Sequence, residues 1–132
     1  MMGTRETLRL ELEAKADSVG VARGAVAEFA QEFGMKEPAL GDLRTTVSEA
    51  CSNVVRHAYP GGSGQFEVEA CRVDGQLSMV VRDFGEGMRA RVETEESSLQ
   101  LGLGLISMLS SHLEISSGSV GTEIRMRLPL SS

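Results

Sequence analysis

Long apolar runs are missing from this chain: none approaches the ~20 residues needed to cross a bilayer as a helix. Cysteine is scarce. The two present, Cys51 and Cys71, have no metal-ligand spacing and are expected to be small buried side chains in a reducing cytosol. Positive charge is the minority sign, with 13 Lys+Arg against 19 Asp+Glu for a net −6. That balance argues against direct nucleic-acid binding and against an anionic membrane surface. The common phosphate-loop signatures are absent too. There is no Gly-x-x-x-x-Gly-Lys-Ser/Thr stretch, and no Gly-x-Gly-x-x-Gly follows the first strand-like segment. No internal repeat, low-complexity tract or linker stands out. The N-terminal mix of Arg5, Glu6, Arg9 and Glu11 with apolar residues is unlike a signal peptide, so a cytoplasmic location is expected.

What is present fits a single domain over residues 1–132. That length buries a core without staples, and an apolar content of 41% is ordinary for a globular fold. Thr7 to Glu13 alternates, with Leu8, Leu10 and Leu12 on one side, which predicts a half-buried strand. Asp17-Ser18 offers a helix cap. Val19, Ala22, Val26, Phe29 and Phe33 then recur at steps of three and four, and Gly34 suits the helix end. A second helix is predicted from near Pro38 to about Ala58, broken by Tyr59-Pro60-Gly61-Gly62. Phe66, Val68 and Ala70 alternate on one strand, and Leu77, Met79 and Val81 on its return, with Asp74-Gly75 as the hairpin turn. Met88 to Gln100 has no period and reads as a mobile loop. A short helix from about Leu103 to Ser111 precedes a strand pair, Leu113 to Ser117 and Thr122 to Leu128. The order predicts an α+β two-layer sandwich, with three helices covering one face of a mainly antiparallel sheet.

Candidate chemistry concentrates in three places. At about 100° per residue, Leu43, Val47, Ala50, Cys51, Val54, Val55 and Ala58 form the apolar arc of the second helix. Glu49, Asn53 and His57 form a stripe bordering it, expected to be half-buried like a cleft wall. A carboxylate and an amide on one stripe suit a proton transfer and a metal ion, though such a row also occurs as a plain solvated flank. Asp83 shares parity with Leu77, Met79 and Val81, so its carboxylate points inward at a strand end. An inward carboxylate needs a donor, from a ligand or from the glycine turn it would cap. Thr122 has the inward parity of Ile124, Met126 and Leu128. Gly85 and Gly87 fit a turn with positive φ or a close backbone approach. Gly102 and Gly104 sit where the last helix would begin, with free amides at its positive end.

Taken in order, these blocks resemble the GHKL ATPase superfamily, which includes gyrase, histidine kinases and MutL. Ser48-Glu49-Ala50-Cys51-Ser52-Asn53-Val54-Val55-Arg56-His57-Ala58-Tyr59 looks like the N box. Val81-Arg82-Asp83-Phe84-Gly85-Glu86-Gly87-Met88 looks like the first glycine box, Gly102-Leu103-Gly104-Leu105 like the second, and Gly121-Thr122 like the closing Gly-Thr. The resemblance implies the Bergerat ATP-binding fold. Length argues against an attached phosphoacceptor or transducer domain, and the Ser-Glu-Ala-x-x-Asn…His-x-Tyr pattern resembles bacterial anti-sigma-factor serine/threonine-protein kinases.

That resemblance implies ATP and Mg²⁺ as cofactors, and as partners a sigma factor and a STAS-type anti-sigma-factor antagonist phosphorylated on serine. A homodimer is also implied. Position by position, Glu49 would be the catalytic base and Asn53 the Mg²⁺ ligand. Asp83 would accept a hydrogen bond from the adenine amino group, with Thr122 close to the same base. Gly85, Gly87 and Met88 would line the nucleotide, and Gly102, Leu103, Gly104 and Leu105 would face its phosphates. The lid would run from Met88 to Leu101. His57 matches the family's position, with a structural hydrogen bond as its other reading. One departure is visible: the Arg that family kinases often carry before the second glycine box is replaced by Ser98-Leu99-Gln100-Leu101. Arg89 or Arg91 stand at the other lid end. Two further readings follow: a nucleotide-binding regulatory module with little or no kinase activity, and a catalytic domain serving a partner-supplied histidine or another stress-signalling switch complex.

Overall fold

The computed structural model describes residues 7–59, 63–85, 104, 106, 108–118 and 121–130. Within them the order is β1 (Thr7–Glu13), α1 (Ala16–Glu32), α2 (Ala39–His57), β2 (Gln65–Val73), β3 (Gln76–Asp83), β4 (His112–Gly118) and β5 (Gly121–Pro129). The strands form one sheet in the order β1-β2-β3-β5-β4. All four pairings are antiparallel, so the sheet is more uniform than the sequence suggests. Gly104, Ile106, Met108 and Leu109 are helical where the third helix is expected; the rest of that segment and the expected loop lie outside the described residues.

Period-two alternation decides which face is buried. The register sets Leu12 beside Phe66, Val68 beside Val81 and Val81 beside Ile124, so one face is apolar across four strands. Val26, Phe29, Leu43, Val47, Ala50 and Val54 from the two helices join these residues in one core. Full burial of each large side chain, Phe66 or Leu77 for example, contributes roughly 1.5–3 kcal/mol. The β2–β3 hairpin turns through Asp74 (φ 51°) and Gly75 (φ 78°), the two positive angles of a type I′ turn.

The opposite face is charged. Arg82 bonds Glu67 at 2.9 Å and Glu123 at 2.7 Å, Arg9 bonds Glu67 at 3.0 Å, and Arg125 bonds Glu123 at 3.1 Å. These contacts cross β1, β2, β3 and β5. They hold the Glu67 and Glu123 carboxyls below the usual range, the hydrogen bond from Arg9 dominating at Glu67 and that from Arg82 at Glu123.

Helix ends differ in part from expectation. Helix α1 starts at Ala16, capped by Lys15 without a side-chain bond. Asp17-Ser18 is therefore not the cap: Asp17 lies in the first turn, where its charge favours the helix dipole, and Ser18 is buried. Its C-terminus is a Schellman motif, with Met35 N–H donating to Ala30 O at 3.1 Å and Gly34 N–H to Gln31 O at 3.0 Å. Gly34 at φ 95° supplies the left-handed residue this requires. Cys51 is buried and its thiol is pushed up to about 12 by desolvation, whereas Cys71 lies on the outer face and is only partly covered. Among the described residues, no helix is long and apolar enough to cross a membrane.

Candidate nucleotide site

Helix α2 supplies the first part of the site. Its buried arc is rotated relative to its apolar arc. Asn53 is 0% exposed and His57 3%, and Thr46, on the same flank, is also buried. Val55, at the other rim of the apolar arc, is only partly covered and lines a groove against α1. The stripe is therefore deeper than half-buried, with Glu49 alone partly open. Thr46 satisfies its hydroxyl locally, donating to Asp42 O at 2.8 Å. Asn53 Oδ1 accepts from Arg56 Nη2 at 3.1 Å, while Asn53 Nδ2 is buried without a hydrogen-bond partner. A buried amide hydrogen left unmatched costs about 1–3 kcal/mol. Such orphans mark places where a ligand or water belongs.

The end of β3 supplies the second part. Asp83 is buried and stands directly opposite Thr122, which is buried on β5. Desolvation raises the Asp83 carboxyl above its ordinary range, opposed by hydrogen bonds from the backbone amides of Gly85 and Thr122. The Gly85 bond is 3.0 Å long, so Asp83 does cap the glycine turn. A carboxylate offers about four acceptor positions. Two backbone donors leave room for another, so the capping and ligand readings are compatible.

Glycines bring these parts together. A Cβ on Gly85 would lie 2.1 Å from Ala58 O, at the end of α2. Its φ is not positive, so close approach, not handedness, is what requires glycine here. Gly121 has φ 133°, and a Cβ there would lie 2.0 Å from Asp83 O. The end of α2, the end of β3 and the start of β5 thus converge on Asp83. Asn53 and Glu49 lie one and two turns back along α2 from His57, at about 6 Å of rise per four residues. Gly104 is helical and exposed, with open space where a Cβ would stand. Gly87, Met88, Gly102, Leu103 and Leu105 lie outside the described residues. A groove of about 600 Å³ between α1 and α2, lined by Asp17, Arg23, Ser52, Val55 and Arg56 among others, contains none of the predicted site residues.

Two things escaped the sequence reading. Tyr59 is not merely part of a helix break: it bonds both β2 and the glycine turn. A lone tyrosine just past a helix end, before Pro60-Gly61-Gly62, was the available signal. The second is the tight seat of Gly85 under Ala58 O, which needs coordinates to be seen.

The spare acceptor capacity of Asp83 and the orphaned Asn53 amide fit a nucleotide carrying an exocyclic amine and phosphates. Among the described residues no cluster of three His, Cys, Asp or Glu could hold a metal by itself. A cation here would depend on phosphate oxygens plus the remaining lone pair of Asn53 Oδ1, as suits Mg²⁺.

This fold and site define a histidine kinase-like ATPase domain. The model of that family matches residues 12–128, and the chain belongs to it. Its relatives include the serine-protein kinase RsbW of Bacillus cereus (strain AH820), 28% identical over 128 residues, covering 87% of this chain and 80% of that protein. RsbW of Bacillus thuringiensis (strain Al Hakam) is 31% identical over 85 residues, covering 64% of this chain and 53% of its own. Among solved structures, the RsbU and RsbW domains of a Mycobacterium tuberculosis protein superpose with a TM-score of 0.75 at 25% identity. That match covers 95% of this chain and 32% of the other, so the chain spans about a third of its length. The histidine kinase domain of the Erythrobacter litoralis EL346 blue-light activated kinase shares the fold, with a TM-score of 0.61 at 21% identity over 85% of this chain and 61% of that one.

Proposed function

We propose that this chain is an ATP-dependent anti-sigma factor, a protein serine/threonine kinase that phosphorylates a STAS-type antagonist and sequesters an RNA polymerase sigma factor. The observation that carries this reading is the buried Asn53, with a partly open Glu49 one turn away on α2. A relative named as a serine-protein kinase supports the reaction class. We place residues 1–132 as one domain acting as a homodimer in the cytoplasm.

In this reading Asp83 recognises the adenine amino group, with Thr122 beside the same base and His57 bracing the helix. Asn53 contributes its side-chain oxygen to Mg²⁺. Bound with the phosphates, the cation supplies charge neutralisation at the transferred group. Gly85 and Gly87, with Met88, let the chain run beside the nucleotide. Gly102, Leu103, Gly104 and Leu105 offer backbone amides to the phosphates. Glu49 accepts the proton of the serine hydroxyl as that oxygen bonds to the terminal phosphorus of ATP and the β–γ bridging bond breaks, releasing ADP, so the nucleophile is oriented and activated by one side chain.

Incubation with labelled ATP and purified antagonist tests the transfer, and co-purification with a sigma factor tests sequestration. Binding of ATP without label on the antagonist favours the second reading, a nucleotide-binding regulatory module with little or no kinase activity. The replacement of the family's lid Arg by Ser98-Leu99-Gln100-Leu101 is what favours that alternative.

A further inference from the structure

We infer that Tyr59 is a positioning residue for base recognition: its hydroxyl fixes the peptide from which Asp83 is presented. The inference rests on the reading of Asp83 as the adenine acceptor. Tyr59 stands just past the C-cap of α2, Ala58, and its Oη uses both of its capacities. It donates to Gln65 O at 2.5 Å, at the first residue of β2, and accepts from Phe84 N–H at 2.9 Å. One phenol thus ties the end of the helix carrying Glu49 and Asn53 to the start of β2 and to the turn after β3.

The second bond matters most because of what Phe84 lacks. Phe84 is 52% exposed, so burial does not anchor this residue. Phe84 lies between Asp83 and Gly85, and the Asp83 carboxylate is itself held by Gly85 N–H at 3.0 Å. Rotation of the 83–84 peptide would therefore displace the Gly85 amide, which together with the Thr122 amide steadies that carboxylate. Tyr59 Oη meets that peptide through its N–H. Its ring has been given room: a Cβ on Gly64 would lie 2.4 Å from ring carbons, and one on Gly85 would lie 3.1 Å away. A purely space-filling aromatic would need the same room but would not need the hydroxyl, which separates the two roles experimentally.

The test is Tyr59→Phe in the full chain, which keeps the ring and removes the oxygen. Affinities for ATP and for inosine triphosphate, which carries a carbonyl in place of the adenine amino group, are measured by calorimetry. The parent should prefer ATP. The variant should lose about five- to tenfold in ATP affinity with little change for inosine triphosphate, so the preference contracts. Amide exchange at Phe84, followed by NMR, should quicken in the variant. An unchanged preference, whether or not the melting temperature falls, overturns the inference and leaves the hydroxyl a structural tie. If the parent itself does not distinguish the two nucleotides, base recognition by Asp83 fails, and the role assigned to Tyr59 falls with it.

Discussion

Gly85 and Ala58 are in backbone contact so close that no side chain fits between them: a methyl on Gly85 would stand 2.1 Å from Ala58 O. This contact sets the distance between the end of α2 and the turn after β3. Gly85→Ala must push one of them away, at about 1–3 kcal/mol. The expected result is a melting temperature several degrees lower and weaker nucleotide binding. Gly104→Ala is the control for stability alone, because a methyl there meets open space and replaces a helical glycine. It should leave stability unchanged or raise it by up to ~1 kcal/mol. Thermal melts of the two variants check both.

Glu49→Ala should separate binding from transfer. Nucleotide affinity by calorimetry is expected to stay within about twofold. Phosphate transfer to the antagonist serine should fall by roughly 10²–10⁴, the range for loss of a general base. Unchanged transfer would remove Glu49 from the mechanism.

Asp83→Asn should weaken ATP binding about ten- to a hundredfold, as loss of a hydrogen bond to a charged acceptor does. Stability should respond differently. Burial raises the Asp83 carboxyl in the folded state, so its contribution is fully present below the unfolded value near 3.8. It is lost as pH rises through the higher folded value. The variant lacks this decline, so the difference in stability between parent and variant should change across that window in the variant's favour. Denaturant titrations at a series of pH values give the slope.

On the outer face the sign reverses. Glu67 and Glu123 have folded values below their ordinary 4.5, the hydrogen bond from Arg9 leading at Glu67 and that from Arg82 at Glu123. Their stabilisation is present above 4.5 and lost as pH falls through the lower folded values. Arg82→Met removes the guanidinium between them and should cost about 1 kcal/mol at neutral pH and moderate salt. Once pH falls below those lowered folded values the two proteins should converge. Raised salt at neutral pH should also narrow the gap.

The strands were legible because apolar residues recur at every second position, with Val80 the interruption in β3, and Asp83 and Thr122 were placed inward on parity alone. The buried depth of Asn53 and His57 was not. An apolar arc says which residues can be buried, whereas the neighbours decide which are. Here the groove against α1 leaves Val55 partly open and the arc turns toward the polar stripe. The cap at Asp17-Ser18 was misread because a good capping side chain two residues inside a helix looks the same in sequence as one at its start. Gly85 was named for the right reason among two, but its partner, Ala58 O, is 27 residues away and leaves no local trace.

The lattice of arginines and glutamates outside the sheet has a consequence for how the strands find one another. Sliding β3 by one residue along β2 would carry Arg82 toward the apolar layer and bring Val81 into water, since side-chain direction alternates at every step. Mispaired arrangements are thus rejected on both surfaces at once, by stranded charge within and by exposed hydrocarbon without. The hairpin that presents Asp83 has one alignment in which every carboxylate on its outer side meets a guanidinium.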